Sequence, residues 1–419
     1  MNLTPTRAAG LTALEAFGPG MGARYTDGRN YDRGPGRHTA VSRLSPYLRR
    51  RLVLEQEVVS AAVATHGEAA AEKFIQEVFW RSYFKGWLEH RPQVWASYRD
   101  GLGADTDRVA GNSVGRRRLE QALAGQTGLD CFDAWVCELR ETGYLHNHAR
   151  MWFASIWIFT FELPWRLGAD FFYRHLLDGD AASNTLSWRW VAGLHTRGKP
   201  YAARADNIRK FTGQRFNVRD EDLAEVGCGL EDEEPQGLPN AQPLRTIRRM
   251  DPNRPTLLLI TDEDCSPEAL EGFCGPSIVA AATLETGHLR SSGPVADLVL
   301  SFERGALGDA GLRCGLPVTP LCMGRAEEIV ALAQRHGATQ ILTAYLPVGP
   351  VQDHLLGMSA VFEANGLALC EGRRRWDDMV WPHATSGFFK VKQQIPRFVR
   401  VGLETRMQRV SGTRPADAI

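Results

Sequence analysis

Residues 146–201 read HNHARMWFASIWIFTFELPWRLGADFFYRHLLDGDAASNTLSWRWVAGLHTRGKPY, and this stretch predicts the fold of the first half of the chain. It contains five tryptophans, the close acidic pair Asp178 and Asp180, and Asn184 four residues after the second acid. Acids and an amide beside a helix can exchange hydrogen bonds with the edge of a flat heterocycle, and indoles can pass electrons to it. Core packing or a solvated loop explains each feature alone. Their joint occurrence favours a site for a planar redox cofactor.

The sequence around this stretch predicts an all-helical first half. Apolar side chains recur at helical spacing in five segments. The first begins at Ser45, and the other four cover residues 68–89, 130–143, 151–163 and 169–177. Ser45 is the expected N-cap of the first of them, with Pro46 at the first helical position. Residues 1–20 and the basic segment 25–41 are expected to form loops.

The second half has a different texture. Residues 229–243 are acidic and rich in Pro and Gly, which is typical of a linker. Beyond them, short apolar runs predict strands at residues 256–261, 277–283, 297–301 and 340–345, and helical patterns cover residues 325–336 and 352–365. Such alternation indicates an α/β domain with a mainly parallel sheet. The predicted domains are a helical domain 1–228, a linker 229–253, an α/β domain 254–402 and a tail 403–419.

Composition limits the class of protein. The 419 residues hold 49 basic and 49 acidic side chains, so zero net charge does not by itself indicate a nucleic-acid binder and leaves only a local basic groove for that role. The eight cysteines include no C-x-x-C pair, which predicts neither a metal site nor an iron–sulfur cluster. The longest apolar run, Met151 to Leu163, is too short to span a bilayer. A cytoplasmic monomer without membrane contact is expected.

Further motifs occur in order over residues 25–215: Ser42-Arg-Leu-Ser-Pro46, Glu77-x-x-Trp80-Arg81, Gly125-x-Thr-Gly128 with Asp133-Ala134, Gly143-Tyr-Leu-His-Asn-His-Ala-Arg-Met151, Trp165-Arg166, and Asp178-Gly-Asp-x-x-x-Asn184 ahead of Trp188-x-Trp190. Together they resemble the FAD-binding helical domain of the photolyase/cryptochrome family. Lys199-Pro200-Tyr201 is similar to the bacterial cryptochrome branch. His148 stands where the family usually has arginine.

The resemblance implies FAD as the cofactor. Ser42, Leu44 and Ser45 would hold its diphosphate, with Tyr25 or its rival Tyr31 reaching the same phosphates. The ion pair between Arg150 and Asp178 and the amide of Asn184 would face the flavin ring. The implied FAD-binding residues are Tyr25, Ser42, Arg43, Leu44, Ser45, Arg81, Arg150, Asp178, Asp180 and Asn184.

The resemblance also implies residues for catalysis. Trp80 and Trp190 would be flat walls for a flipped pyrimidine dimer. Glu77 and Asn147 would contact its polar edge, and Met151 its apolar side. Trp188 and Trp165 match the first two members of an electron relay. No tryptophan occupies the position of the third member. Electrons would reach the surface through Trp152, Trp157 or Trp135, or the protein has no full relay.

The expected function is light-driven repair of cyclobutane pyrimidine dimers in DNA by an enzyme resembling deoxyribodipyrimidine photo-lyase. The alternative is a cryptochrome-type blue-light photoreceptor or a redox flavoprotein without repair activity. The basic triplets Arg49–Arg51 and Arg116–Arg118 either line a rim that contacts DNA phosphates or form a solvated face. The α/β half resembles the family's antenna domain, which implies a circular permutation of the domain order and a second antenna chromophore of unspecified identity. The alternative is an unrelated α/β domain.

Overall fold

The computed structural model describes residues 3–270, 275, 277–322 and 324–411, with side chains through residue 402. The first half is helical, as the sequence predicts. Its helices are α1 (Arg7–Phe17), α2 (Ala23–Gly28), α3 (Ser45–Arg49), α4 (Glu55–Ala70), α5 (Glu72–Glu89), α6 (Pro92–Ala110), α7 (Ser113–Ala124), α8 (Asp130–Thr142), α9 (Asn147–Ser155), α10 (Trp165–His175), α11 (Ala181–Val191) and α12 (Ala205–Phe211). None of the helices in the described part has the length and apolar character needed to cross a bilayer.

Some local predictions in this half are wrong. Residues 1–20 were expected to be loop, but they contain α1, which Thr6 caps by accepting the backbone N–H of Ala9 at 3.2 Å. The run of residues 151–163 was expected to be one helix. Instead α9 ends at Ser155 and a π-helical turn occupies Ile156–Thr160. Turns of this kind are rare and frequent near functional sites.

The second half is an α/β unit, as predicted. Its elements are β1 (Thr256–Thr261), β2 (Ile278–Leu284), α13 (Asp297–Arg313), β3 (Val318–Leu321), α14 (Ala326–Arg335), β4 (Gln340–Ala344), α15 (Pro350–Gly357), α16 (Ser359–Ala364), β5 (Ala368–Gly372), α17 (Arg375–Val380) and α18 (Phe389–Ser411). Within the described residues the strands form one five-stranded sheet in the order β3-β2-β1-β4-β5. Every pairing is parallel, with Leu258 opposite both Ala281 and Leu342.

The prediction of a strand at residues 297–301 is wrong, since this run begins α13. A short apolar run does not distinguish a strand from a buried helix. In α13 the buried residues Val299, Phe302, Ala306 and Ala310 recur at helical spacing. Strands β3 and β5 were not predicted. Pro320 lies in β3, and this strand tolerates it because it forms an edge of the sheet.

The two faces of the sheet pack against different parts of the molecule. Leu257 and Leu259 point into a core made with α14, α15 and α16. Leu258 and Ile260 belong to the continuous apolar core that includes α13 and the helical half. Because successive strand residues point to opposite faces, one short strand serves both cores. The two halves of the chain therefore share a hydrophobic core.

Buried charges seal the interface between the halves. Arg49, Arg50 and Arg51 lie at the end of α3 with exposures of 2%, 0% and 6%. Their partners include the acidic run Asp262–Asp264 at the carboxyl end of β1, with 2.8 Å between Arg49 and Glu263. The interpretation of this triplet as a rim for DNA phosphates is wrong, because the α/β half covers it. In the second triplet Arg116 pairs with Glu120 and Arg118 with Glu162 on the surface.

The last helices cross back onto the helical half. Trp376 of α17 packs on Phe79 with ring centroids 4.8 Å apart and donates its indole N–H to Ser82 at 2.8 Å. Phe398 of α18 also stacks on Phe79, at 5.8 Å. Helix α18 continues to Ser411, across the expected boundary of the tail, and residues 412–419 lie outside the described part.

Candidate functional site

A cavity of about 620 Å³ opens in the helical half. All predicted site residues except Arg43, Leu44 and Trp165 line it. The predicted residues in its wall are Tyr25, Ser42, Ser45, Glu77, Trp80, Arg81, Asn147, Arg150, Met151, Asp178, Asp180, Asn184, Trp188 and Trp190. They come from segments that are distant in sequence, so the tertiary fold brings them into one wall.

Asp178 and Asp180 lie at the junction between α10 and α11. The backbone N–H of Leu177 donates to Gly143 O at 2.8 Å and ties this junction to the end of α8. Asp180 is the N-cap of α11, where its carboxylate accepts the backbone N–H of Ser183 at 2.8 Å. Because an N-cap carboxylate satisfies free N–H groups at the positive end of a helix, the turn holds Asp180 in the cavity wall.

Two arginines neutralise these buried acids. Arg150 of α9 donates to Asp178 at 3.0 Å, and Arg81 of α5 donates to Asp180 and lies 3.9 Å from Asp178. Burial alone would raise the pKa of both carboxyls. The guanidinium groups outweigh burial, and the pKa of each acid lies below its ordinary value. Both acids are therefore ionised at neutral pH and present fixed acceptors.

The start of α3 forms another part of the wall. Leu44 is the N-cap, one residue before the predicted Ser45, and it is buried. The hydroxyl of Ser42 accepts the backbone N–H of Leu44 at 3.4 Å and fixes the turn that leads into α3. Tyr25 lines the cavity, whereas its rival Tyr31 packs on Phe211 at 5.2 Å.

The opposite side of the cavity is aromatic. Trp190 stacks on Tyr201 with centroids 5.4 Å apart, and Trp80 is covered by Phe388. Asn147 and Met151 are four residues apart on α9 and share one face of it. The carboxylate of Glu77 pairs with Arg29.

Sequence reasoning missed several residues of this aromatic side. Tyr83 and Phe84 follow Trp80 at helical spacing on α5, and that spacing could have revealed them. His195 lies 3.3 Å from the Tyr83 hydroxyl through Nε2, and its buried Nδ1 has no hydrogen-bond partner among the described residues. Burial, with Arg189 and Arg91 nearby, lowers the pKa of His195 to about 4, so the imidazole is neutral at pH 7. No local sequence motif indicates that His195 or Phe388 lines the cavity.

The residues present fit a flavin dinucleotide. Ser183 Oγ and Trp188 Nε1 are buried in the wall without partners among the described residues. An unsatisfied buried polar group costs about 1–3 kcal/mol, which a ligand with donors and acceptors would recover. The amide of Asn184 is oriented by donation to Ala169 O at 2.7 Å. Cofactor-sized ligands occupy pockets of about 300–1,000 Å³, and this cavity lies in that range.

Two pairs of buried tryptophans are in ring contact in the described part of the chain. Trp188 lies 6.2 Å from Trp157 at a plane angle of 86°. Gly168 permits this approach, because a Cβ there would lie 2.3 Å from Trp188 and 3.0 Å from Trp157. Trp135 and Trp152 form a separate stacked pair at 5.6 Å. The aromatic ring in contact with Trp165 is Tyr98, at 5.9 Å.

A polar cluster outside the cavity anchors the loop that leads to α3. Its members are Asp32, His38 and Glu138, whose ligand-type atoms lie within 4.8 Å of one another. His38 Nε2 is 2.8 Å from Glu138, and Asp32 accepts from Trp135 at 3.0 Å and from Arg215 at 2.7 Å. These bonds connect the loop to α8, which explains how residues 29–41 stay ordered beside the cavity without regular structure. The prediction of a loop over residues 25–41 is wrong for residues 25–28, which belong to α2.

Comparison with known proteins shows what the helical half is similar to. The profile of the FAD binding domain of DNA photolyase matches residues 74–219. A deoxyribodipyrimidine photo-lyase of Streptomyces griseus is 34% identical over 227 residues, which cover 52% of this chain and 46% of that protein. One from Thermus thermophilus is 34% identical over 198 residues, covering 47% and 45%. The chain thus spans about half the length of the curated relatives it matches.

Two solved structures also match. A bacterial class III photolyase from Agrobacterium tumefaciens shares 26% identity with a TM-score of 0.42, over 50% of this chain and 43% of the other. The Synechocystis cryptochrome shares 25% identity with a TM-score of 0.40, over 50% and 44%. On the family profile and the curated relatives, together with the ordered motifs that line the cavity, the helical half of the chain is similar to the FAD-binding domain of the photolyase/cryptochrome family.

Proposed function

We propose that this protein uses FAD and light to split cyclobutane pyrimidine dimers in DNA. The proposal depends on one observation. A single cavity joins the charged wall around Asp178 and Asp180 to an aromatic wall that contains Trp80 and Trp190. Reduced FAD, when bound and illuminated, supplies the electron that opens the dimer.

The side chains of this chain would bind and orient both groups. Arg81 and Arg150 hold the two acids ionised, which gives the flavin ring fixed acceptors. Trp80 and Trp190 offer flat faces, and stacking contributes about 1–3 kcal/mol per base toward the cost of extruding a dimer from the duplex. Glu77 and Asn147 would meet its polar edge.

A photoreceptor or redox flavoprotein without repair activity is the second candidate. Two contacts favour it. The face of Trp80 is already covered by Phe388, and the Glu77 carboxylate is already paired with Arg29. Both groups must be released before they can contact a lesion, whereas electron transfer within the protein needs neither.

Illumination of the reduced protein with DNA that contains a thymine dimer decides between the two. Restored thymines support repair, and intact dimers with normal flavin photoreduction support the photoreceptor. Glu77→Gln is expected to slow repair about tenfold, because one hydrogen bond to a charged group is worth about 1.5–3 kcal/mol. Glu72→Gln, on the same helix but outside the cavity wall, is the control and should repair at the original rate.

We propose Trp157 as the next relay member after Trp188. Among the described residues, Trp157 is the one exit candidate of the three whose ring contacts the ring of Trp188. Trp157→Phe is therefore expected to slow flavin photoreduction by at least about tenfold. Trp135→Phe, in the separate stacked pair, should leave the rate unchanged. Equal rates in both variants would contradict this role of Trp157 and leave Trp165, the second member that the resemblance implies, as the next acceptor after Trp188.

We also infer a second chromophore site. A cavity of about 460 Å³ lies between α6, the segment that follows β2 and the first turns of α15. Trp95 and Tyr98 stack at 5.3 Å in its wall, and the buried Tyr98 hydroxyl has no partner among the described residues. In parallel sheets, ligands bind beyond the carboxyl ends of the strands where the strand order reverses, here between β1 and β4. Purified protein should release a non-flavin chromophore that Trp95→Ala lacks, and flavin alone would contradict this site.

A further inference from the structure

We propose that Phe388 is a resident gate on the substrate side of the cavity, and that a lesion base enters by displacing this ring from Trp80. The inference rests on the proposed function, because it concerns access to the wall that would hold the dimer. Phe388 also gives the second half of the chain a role in this site, whose other lining residues come from the helical half, apart from Gly387 beside it.

The gate is defined by ring geometry. The centroids of Trp80 and Phe388 lie 3.9 Å apart and their planes differ by 14°. Aromatic pairs usually settle at centroid distances of about 4.5–7 Å with offset or edge-on contact. This pair instead overlaps almost fully, and Tyr83 supports Phe388 edge-on at 5.5 Å. A base stacked on the same face of Trp80 would need the same space.

The surroundings of Phe388 allow it to leave. It follows Gly387, an exposed glycine at which a Cβ would have no atom within 4 Å, so the backbone before Phe388 has the conformational freedom of glycine. The backbone O of Phe388 accepts the N–H of Lys392 at 2.9 Å at the start of α18, so the ring leaves by side-chain rotation and movement of the residues before it. The contacts that hold the ring are aromatic, and a base reproduces them when it replaces Phe388. The adjacent Phe389 is 68% exposed and does not line the cavity.

Both ends of the gate segment are anchored in the helical half. Before it, Asp377 of α17 makes a bidentate contact with buried Arg51, at 2.6 and 2.8 Å. After it, Phe398 of α18 stacks on Phe79 of α5, the helix that also carries Trp80. The segment between these anchors, residues 384–388, has no regular helix or strand. Displacement of Phe388 therefore requires only this short segment to move.

The first test compares Phe388→Ala with the matched control Phe389→Ala in flavin-loaded protein. The ligand is a single-stranded oligonucleotide that contains one thymine dimer. A ring that must first be displaced weakens apparent binding by the energy of the displaced contact, so its removal should tighten Kd about two- to tenfold. Phe389→Ala should bind like the original chain. Unchanged or weaker binding in Phe388→Ala would overturn the gate, and weaker binding would make Phe388 a substrate contact.

The second test needs no DNA. The rate of Trp80 oxidation by N-bromosuccinimide, followed by peptide mass spectrometry, should rise in Phe388→Ala and not in Phe389→Ala, with Trp190 as an internal reference. If no form of the protein binds the lesion but Trp80 becomes reactive, the proposed substrate fails and the gate stands. If Trp80 reactivity does not change, the gate fails whatever the DNA result.

Discussion

Purified Asp178→Asn protein is expected to contain almost no flavin and to lose about 3 kcal/mol of unfolding free energy, since removing one partner of a buried ion pair leaves the other charge uncompensated. Asp178 is buried and faces Arg150 at 3.0 Å and Arg81 at 3.9 Å. Asparagine keeps the shape of the side chain and removes only its charge. The flavin-to-protein absorbance ratio and urea denaturation measure the two effects.

The matched control is Asp206→Asn. Asp206 pairs with Arg204 at 2.8 Å on the exposed surface, with side-chain exposures of 57% and 73%. Solvent and salt screen an exposed pair, so this variant should keep its flavin and its stability. Equal behaviour of the two variants would show that the charge at Asp178 does not organise the cavity.

The same acid gives the protein a defined response to pH. The pKa of Asp178 is lowered in the folded state, so at low pH the unfolded chain binds the proton more readily. Its contribution to stability is fully present above the ordinary aspartate pKa of about 4 and is lost as pH falls through the lowered value. Urea midpoints of the original chain should therefore fall below about pH 4 more steeply than those of Asp178→Asn.

Asp377→Asn is expected to destabilise the whole chain by about 3 kcal/mol without a specific loss of flavin from folded protein, because it breaks a buried pair at the interface of the two halves. The replacement leaves Arg51, with 8% side-chain exposure, facing only Asp264 and Glu55, each at 3.5 Å. Thermal unfolding monitored separately by flavin fluorescence and by far-UV circular dichroism measures the change.

The neighbouring residue provides the control for this interface. Asp378 pairs with Arg373, and its side chain is 45% exposed. Asp378→Asn should change stability by less than about 0.5 kcal/mol, as is usual for a surface pair. A drop as large as that of Asp377→Asn would mean that net charge near α17, rather than the buried contact with Arg51, stabilises the interface.

The acids and the amide at the start of α11 were predictable because they are close together in sequence. Asp178, Asp180 and Asn184 occupy one helix start, where the N-cap geometry follows from sequence spacing. The relay exit was not predictable, because three tryptophans have similar burial and similar sequence context. The approach of Trp157 to Trp188 depends on the missing side chain of Gly168, which comes from a different helix than either ring.

The basic triplet was misread for a related reason. A run of arginines is usually solvated, and the acids that pair with Arg49 in the folded protein are distant from it in sequence. Its partner Asp262 is 213 residues away. Because the carboxyl end of β1 packs against α3, these arginines are buried and form ion pairs inside the protein.

The sequence by itself determined the two classes of domain and the close grouping of Asp178, Asp180 and Asn184 at the start of one helix, because these depend on periodicity and on short fixed spacings. Only the tertiary structure decided which tryptophan Trp188 touches, that Arg49–Arg51 are buried, and that Phe388 lies on Trp80. These three features are contacts between segments distant in the chain. Such contacts depend on how whole helices and the sheet pack, and no local pattern of residues encodes that geometry.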